Sequence, residues 1–385
     1  MKIPFILTKK PLIIVKKVDM MLKLARDYLI TLILIGIIVS LSTLAYFQID
    51  HFTITEPQNV QFTKENTINF SSLTLEQKIA QMIIVYAQED QSIVFNNMMI
   101  GGIFLGAEKS KDDFVKLIDV YQNNALIPLF VAADLEGCRN PFENFKSFSK
   151  LTEIETSSQA KNLATEQGIL MNELGFNINF APVVDLDDQV WNCRNFLGTP
   201  SEVAEKANAY VNGLKEQNIL AIAKHYPGKT LLEDVHNKLV KKTIEEDDLV
   251  PFQDLINNNV PGIMVSHTIV DGTVNSEGKP VSVSKLPTEL SKKYSGLIVT
   301  DEIGMSGLKE FYTSEDGFVD YRSMFIDLFN TGNDLILTFD RSPRMIYENM
   351  ILTVAEAVRT GEISAEKIDN SVKKILRNKG LEIIN

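Results

Sequence analysis

Seven short stretches of the 385-residue chain concentrate the side chains able to do chemistry. They are Asp134-Leu-Glu136-Gly-Cys-Arg139, Asp185, Cys193-Arg194-Asn-Phe-Leu-Gly198, Lys224-His225-Tyr-Pro-Gly228, Glu233-Asp234-Val-His236, Ser266-His267 and Thr300-Asp301-Glu302. Carboxylates can act as nucleophiles or bases, and an imidazole exchanges a proton near neutral pH. Lys and Arg can hold polar substrate groups or developing negative charge. Three of the four His fall in these stretches. No H-E-x-x-H occurs, and two Cys cannot build a Cys-based zinc site or a disulfide scaffold. No metal or cofactor is therefore expected.

Each stretch follows a short apolar run. Eight such runs, at 82–85, 102–105, 129–133, 178–184, 221–224, 262–266, 297–300 and 334–338, alternate with segments of helical period. They are continuously apolar, as parallel strands buried on both faces should be. Box-like caps mark helix starts at Thr74 with Gln77, Ser110 with Asp113, Thr199 with Glu202 and Thr243 with Glu246. Pro200 stands at a first helical position, where its missing N–H costs nothing. A final helix or helix pair is expected over 343–378. The fold class is α/β, a single (β/α)8 TIM-type barrel over 72–385. A doubly wound open sheet is the alternative, but no G-x-G-x-x-G follows the first strand. In a barrel, chemistry sits at the C-terminal strand ends, where all seven stretches lie.

The barrel is preceded by a different kind of segment. Residues 28–47 contain no charge, which is the length a membrane-crossing helix needs. Residues 1–27 carry seven Lys/Arg and two Asp, a net of +5, while the whole chain carries −12. The positive-inside rule then makes 1–27 a basic cytoplasmic segment and 28–47 a signal anchor. The catalytic body is expected outside the cytoplasm, membrane-anchored by a single pass. A cleaved signal peptide is the rival reading, although its apolar core is usually shorter. Residues 48–71, rich in Gln, Asn, Thr and Glu, read as a polar linker. An acidic body without a basic stripe excludes nucleic acid as the main partner.

The motifs resemble the bacterial β-N-acetylhexosaminidases of glycoside hydrolase family 3. Asp134–Arg139 matches D-x-E-G-G-R except at Cys138, and 224–228 matches K-H-F/Y-P-G. Asp234-Val-His236 matches D-x-H, 300–305 matches T/S-D-x-x-G/S-M, and 194–198 is similar to R-S-F-G. The stretch 361–376 resembles the family's closing helix, so the likeness spans 73–380. Three positions depart from the pattern. Phe142 stands where the family often has a substrate-binding Arg, Lys229 replaces a His-Gly pair, and Cys138 replaces a Gly.

The resemblance implies a retaining glycosidase releasing terminal β-linked N-acetylhexosamine, from peptidoglycan or related carbohydrate. Asp301 is implied as the nucleophile that forms a covalent glycosyl-enzyme. His236 is implied as acid/base in place of a second carboxylate, with Asp234 accepting a hydrogen bond from the imidazole and fixing its tautomer. Glu233, and less strongly Glu302 and Glu136, are competing acids. Asp134, Arg194, Lys224 and His225 are implied in the sugar pocket. His267 lines its floor or is a satisfied core His, and Arg139 is expected to pair with a neighbouring carboxylate. Phosphorolysis or β-glucosidase action on the same barrel, or an inactive surface glycan-binding module, are the alternative functions.

Sequential barrel strands are neighbours, so Cys138 and Cys193 should lie on adjacent loops at the same mouth. A Cys138–Cys193 disulfide is expected in an extracytoplasmic compartment, with two independent thiols as the alternative.

Overall fold

The computed structural model describes residues 20–26, 28–37 and 52–385. The chain divides into two units, Met1–Thr53 and Ile54–Asn385. In the first, residues 20–26 and 28–37 are helical and exposed. Among the described residues no helix is long and apolar enough to cross a membrane. The expected span reaches 47, and its residues 38–47 lie outside the described residues, as do residues 1–19 of the basic segment.

In the second unit eight parallel strands form the sheet. They are β1 (Ile83–Tyr86), β2 (Gly102–Phe104), β3 (Phe130–Ala133), β4 (Ile178–Asn179), β5 (Leu220–Tyr226), β6 (Gly262–Val265), β7 (Leu297–Thr300) and β8 (Ile336–Thr338). Each pairs with its sequence neighbour, and β8 pairs with β1. A parallel bridge between Val299 and Leu335 completes the circle between β7 and β8. The strands are buried almost throughout, which explains their unbroken apolar sequences. Below that seam the buried Asp334 accepts from Ile298 N (2.9 Å), Ser371 Oγ (2.9 Å) and Lys374 Nζ (2.8 Å). The helix Ala365–Asn378 is thereby tied to the bottom of the barrel.

Three of the four caps form where the sequence places them. Thr74 and Thr199 make reciprocal capping boxes with Gln77 and Glu202, and Ser110 accepts from Asp113 N. The fourth does not. Thr243 lies in the strand Lys241–Ile244, and Glu245 with Asp248 caps the helix Glu246–Asn257. Strand β4 is also shorter than the apolar run over 178–184. Pro182 has no N–H to give a ladder, so regular pairing stops, although Val184 N still donates to Lys224 O (2.8 Å). The closing segment is a pair, a π-helix Met345–Ile351 running into Leu352–Arg359, then Ala365–Asn378.

The segment read as a linker is partly structured. Phe62–Lys64 and Thr67–Asn69 form a hairpin, and Glu382–Ile384 adds a parallel strand to it. Ile68 is fully buried there, an apolar anchor hidden by the polar composition around it.

Candidate active site

The loops after β3, β4 and β5 meet in a buried network of charges. Lys224 Nζ, near the end of β5, lies 2.7 Å from Asp134 Oδ1 and 3.1 Å from Glu136 Oε2. Arg194 Nη2 lies 2.8 Å from Glu136 Oε1 and 3.0 Å from Oε2. Burial would push the Glu136 carboxyl up, but Arg194, Lys224 and His225 outweigh it and hold it below the usual carboxylate range. Glu136 is therefore the anionic hub that lets two cations sit together away from water. Gly137 permits this convergence. Its φ is +53°, and a Cβ there would collide with the Cys193 carbonyl.

Consecutive Lys224 and His225 both serve the site, whereas a regular strand alternates faces. The β5–β6 register shifts between Ala223 and Tyr226, an irregularity of the kind that re-aims side chains. His225 Nδ1 lies 2.9 Å from Asp185 Oδ2, and its Nε2 lies 3.9 Å from Asp301 Oδ2. Asp301 follows β7. Burial raises its carboxyl, but His225, His267 and Lys224 hold it below the ordinary value, so it is ionised. Its Oδ1 accepts from Glu302 N at 2.8 Å.

The candidate proton donor sits on the rim. His236 Nδ1 lies 2.9 Å from Asp234 Oδ1, which also accepts from His236 N at 3.0 Å. Partial burial pushes the Asp234 carboxyl up, but the bonds from His236 and Asn237 outweigh it and hold it low. The imidazole meets the Trp191 ring edge-on at 5.7 Å. The guanidiniums of Arg194 and Arg139 lie 4.6 and 5.1 Å from the same ring. The competing acid Glu233 is bound by Lys238 (2.5 Å) and Lys242, which hold its carboxyl down at about 2, so it has no proton to donate near neutrality. Glu302 is pushed up by burial, yet its Oε1 is turned to Gly304 N (2.8 Å) and Phe339 N (3.0 Å).

These groups enclose a cavity of about 100 Å³ lined by Asp134, Glu136, Arg194, Lys224, His225, Thr230, His236 and Asp301. Two buried polar atoms on its wall, Arg194 Nε and Thr230 Oγ1, have no hydrogen-bond partner among the described residues. Buried polar atoms in folded proteins are normally satisfied, which makes both unusual. A disulfide joins Cys138 to Cys193 across the β3 and β4 loops, with a Cα separation of 5.5 Å.

Residues 74–378 match the Glycosyl hydrolase family 3 N terminal domain. The chain is a family 3 glycoside hydrolase. It is 28% identical over 339 residues to "Beta-hexosaminidase LpqI" of Mycobacterium bovis, covering 80% of this chain and 83% of that one. A solved family 3 beta-N-acetylglucosaminidase from Paenibacillus sp. str. FPU-7 superposes with a TM-score of 0.71 at 26% identity, covering 80% of this chain and 62% of that chain. The structure of LpqI from M tuberculosis gives a TM-score of 0.70 at 26% identity, covering 81% and 95%.

Against the family 3 pattern, the departures have visible places. Phe142 is fully buried in a ring cluster with Phe114, Phe145 and Phe176, so no side chain from that position reaches the sugar cavity. Lys229 turns away to Asp248 (3.2 Å) and Glu245 (3.3 Å). Cys138 takes part in the disulfide. Of the two readings of His267 the satisfied core His holds, and the expectation for Arg139 needs correction. His267 does not line the cavity, since Nδ1 meets Ser282 Oγ (2.7 Å) and Nε2 meets the Glu302 carbonyl (3.1 Å). Burial keeps its pKa low, and it supports the Asp301 loop from behind. Arg139 pairs with no carboxylate among the described residues and stacks on Trp191 instead. Sequence reasoning placed Asp185 at a strand end without giving it a role, and passed over Thr230 and Trp191. The polar type and strand-end position of Asp185 were the only signals; nothing in the spacing of the other two announced them.

Proposed function

We propose that the protein is a retaining β-N-acetylhexosaminidase acting on terminal, non-reducing β-linked N-acetylhexosamine of glycans such as peptidoglycan fragments. The observation that carries this reading is one cavity holding an ionised, partly buried Asp301 and, on its rim, the Asp234–His236 pair. Asp301 Oδ2 attacks the anomeric carbon while His236 gives its proton to the glycosidic oxygen, and the aglycone leaves as an alcohol. A water then loses a proton to His236 and attacks the same carbon, breaking its bond to Asp301. Asp134, Lys224 and Arg194 hold ring hydroxyls, and Thr230 Oγ1 supplies a further hydrogen bond.

The cavity of about 100 Å³ lies below the roughly 300 Å³ at which ligand pockets begin. In this reading the half-exposed loop bearing His236 moves outward to admit the sugar and closes over it.

The test is turnover of an aryl β-N-acetylglucosaminide, with and without phosphate. Asp301→Ala should lower kcat by on the order of 10⁴-fold. His236→Ala should lower it by roughly 10²–10⁴-fold for a poor leaving group and far less for dinitrophenol, which needs no proton. Full activity of Asp301→Ala would refute the assignment.

The uncharged run over 28–47 behind a +5 flank supports a single-pass anchor, with the catalytic unit outside the cytoplasm. Retention of full-length protein in membranes after an alkaline wash, with residues 54–385 open to external protease, is the expected result. Release into the wash would overturn it.

A further inference from the structure

A second and larger cavity, of about 660 Å³, opens at the same barrel mouth beyond β7 and β8. It adjoins the sugar cavity, because Glu302 and Phe339 line both. Its volume falls within the usual range for ligand sites, roughly 300–1,000 Å³. One part of the wall is apolar and adaptable, built from Met324, Phe325, Ile346 and Met350 with Met345 at the edge, while Lys309, Arg322, Asp340 and Asn349 supply a polar part. The first four are almost fully buried, whereas Met345 is 45% exposed. Methionines of this kind reshape around varied apolar groups.

A second observation points the same way. Met345–Ile351, which supplies part of this wall, is a seven-residue π-helix. Such segments are rare and concentrate at functional sites. The position also suits the reaction. The His236 carbonyl accepts from Ser306 N at 3.1 Å, so the donor loop rests on the start of the helix Ser306–Phe311. Lys309, one turn along that helix, lines the large cavity. The space therefore lies beside the donor loop, next to the cavity that His236 lines. Neither the motifs nor the sugar-binding residues account for it.

We propose that this cavity receives the aglycone, and that the enzyme favours β-N-acetylhexosaminides whose leaving group carries an extended apolar portion, alkyl or aryl. The assignment rests on the hydrolase reading above. The full-length protein should be assayed on methyl, butyl and octyl β-N-acetylglucosaminides. kcat/KM should rise by about tenfold or more from methyl to octyl, mainly through KM, as methylenes leave water. Met345→Asp should abolish that gain and leave methyl glycoside turnover unchanged, while Met345→Leu should retain it. Equal kcat/KM along the series overturns the aglycone cavity and leaves the hydrolase reading standing. Calorimetry with uncleavable methyl and octyl thioglycosides separates the two claims. Chain-length-dependent binding lost in Met345→Asp, with no turnover of any glycoside, keeps the cavity and overturns the hydrolase reading. Neither binding nor turnover overturns both.

Discussion

Asp185 holds His225 twice with one oxygen. Oδ2 lies 3.0 Å from the backbone N of His225 and 2.9 Å from its ring Nδ1, while Oδ1 accepts from Thr230 N at 2.7 Å. A carboxylate can only accept, so Nδ1 carries the proton and Nε2 faces Arg194 and Asp301. One buried side chain thereby sets the tautomer of His225 and the position of the loop that carries Thr230. Asp185→Asn keeps the shape but presents a donor where only acceptance works. We expect kcat/KM to fall by about 10²-fold, the scale of a small misplacement of reacting groups, with an unchanged circular dichroism spectrum. Wild-type kinetics in that variant would remove Asp185 from the positioning apparatus.

Thr230 offers a sharper separation of stability from activity. Its buried hydroxyl has no partner among the described residues, and Val has almost the same shape. Thr230→Val should stabilise the fold by about 1 kcal/mol by removing an unsatisfied group. The same change should raise KM for an aryl β-N-acetylglucosaminide by roughly tenfold, the worth of one hydrogen bond. A gain in stability with unaltered KM would show that the hydroxyl does not touch substrate.

Glu136 links the site to acid stability. Its folded pKa lies below the unfolded value of about 4.3, so its contribution is present above that pH and lost as pH falls through the folded pKa. Glu136→Gln should cost about 3 kcal/mol at pH 7 by leaving Arg194 and Lys224 short of a counter-charge. Urea unfolding should show the gap between wild type and variant narrowing below about pH 4. A gap constant across that range would mean that another group governs acid unfolding.

The Cys138–Cys193 bond closes a loop with a sequence separation of 55. Replacing both with Ser should cost roughly 4 kcal/mol by the chain-entropy relation. It should also lower kcat/KM, because Arg194 and Trp191 sit on one side of the bond and Arg139 on the other. Thermal unfolding and kinetics of Cys138→Ser/Cys193→Ser, compared with wild type under oxidising conditions, provide the check. Identical midpoints would mean that the bond does not constrain the unfolded chain.

The eight strands were legible because burial on both faces writes an unbroken apolar run, and because side-chain caps write themselves into positions three apart. Strand β4 ended early for a reason that was also present, the missing N–H of Pro182. The network around Glu136 was harder to see. Whether a carboxylate serves as hub, orienter or proton donor depends on which cations fold against it, and Glu136, Asp185 and Glu233 look alike along the chain. His267 stayed between two readings for the same reason, since both its partners come from distant segments. Ile68 shows the converse case, in which a single apolar residue in polar surroundings anchors a strand.

The hairpin of Phe62–Lys64 and Thr67–Asn69 holds Glu382–Ile384 alongside it. The two ends of the catalytic unit therefore leave from one place. The order in which the barrel is written along the chain is consequently free to change. A gene that joins residue 385 to residue 60 by a few flexible residues, and starts at the exposed turn Glu315–Gly317, would still encode all eight strands without interruption. Such a rearranged enzyme would carry a fusion partner at the mouth of the barrel, next to the large cavity, in place of its base.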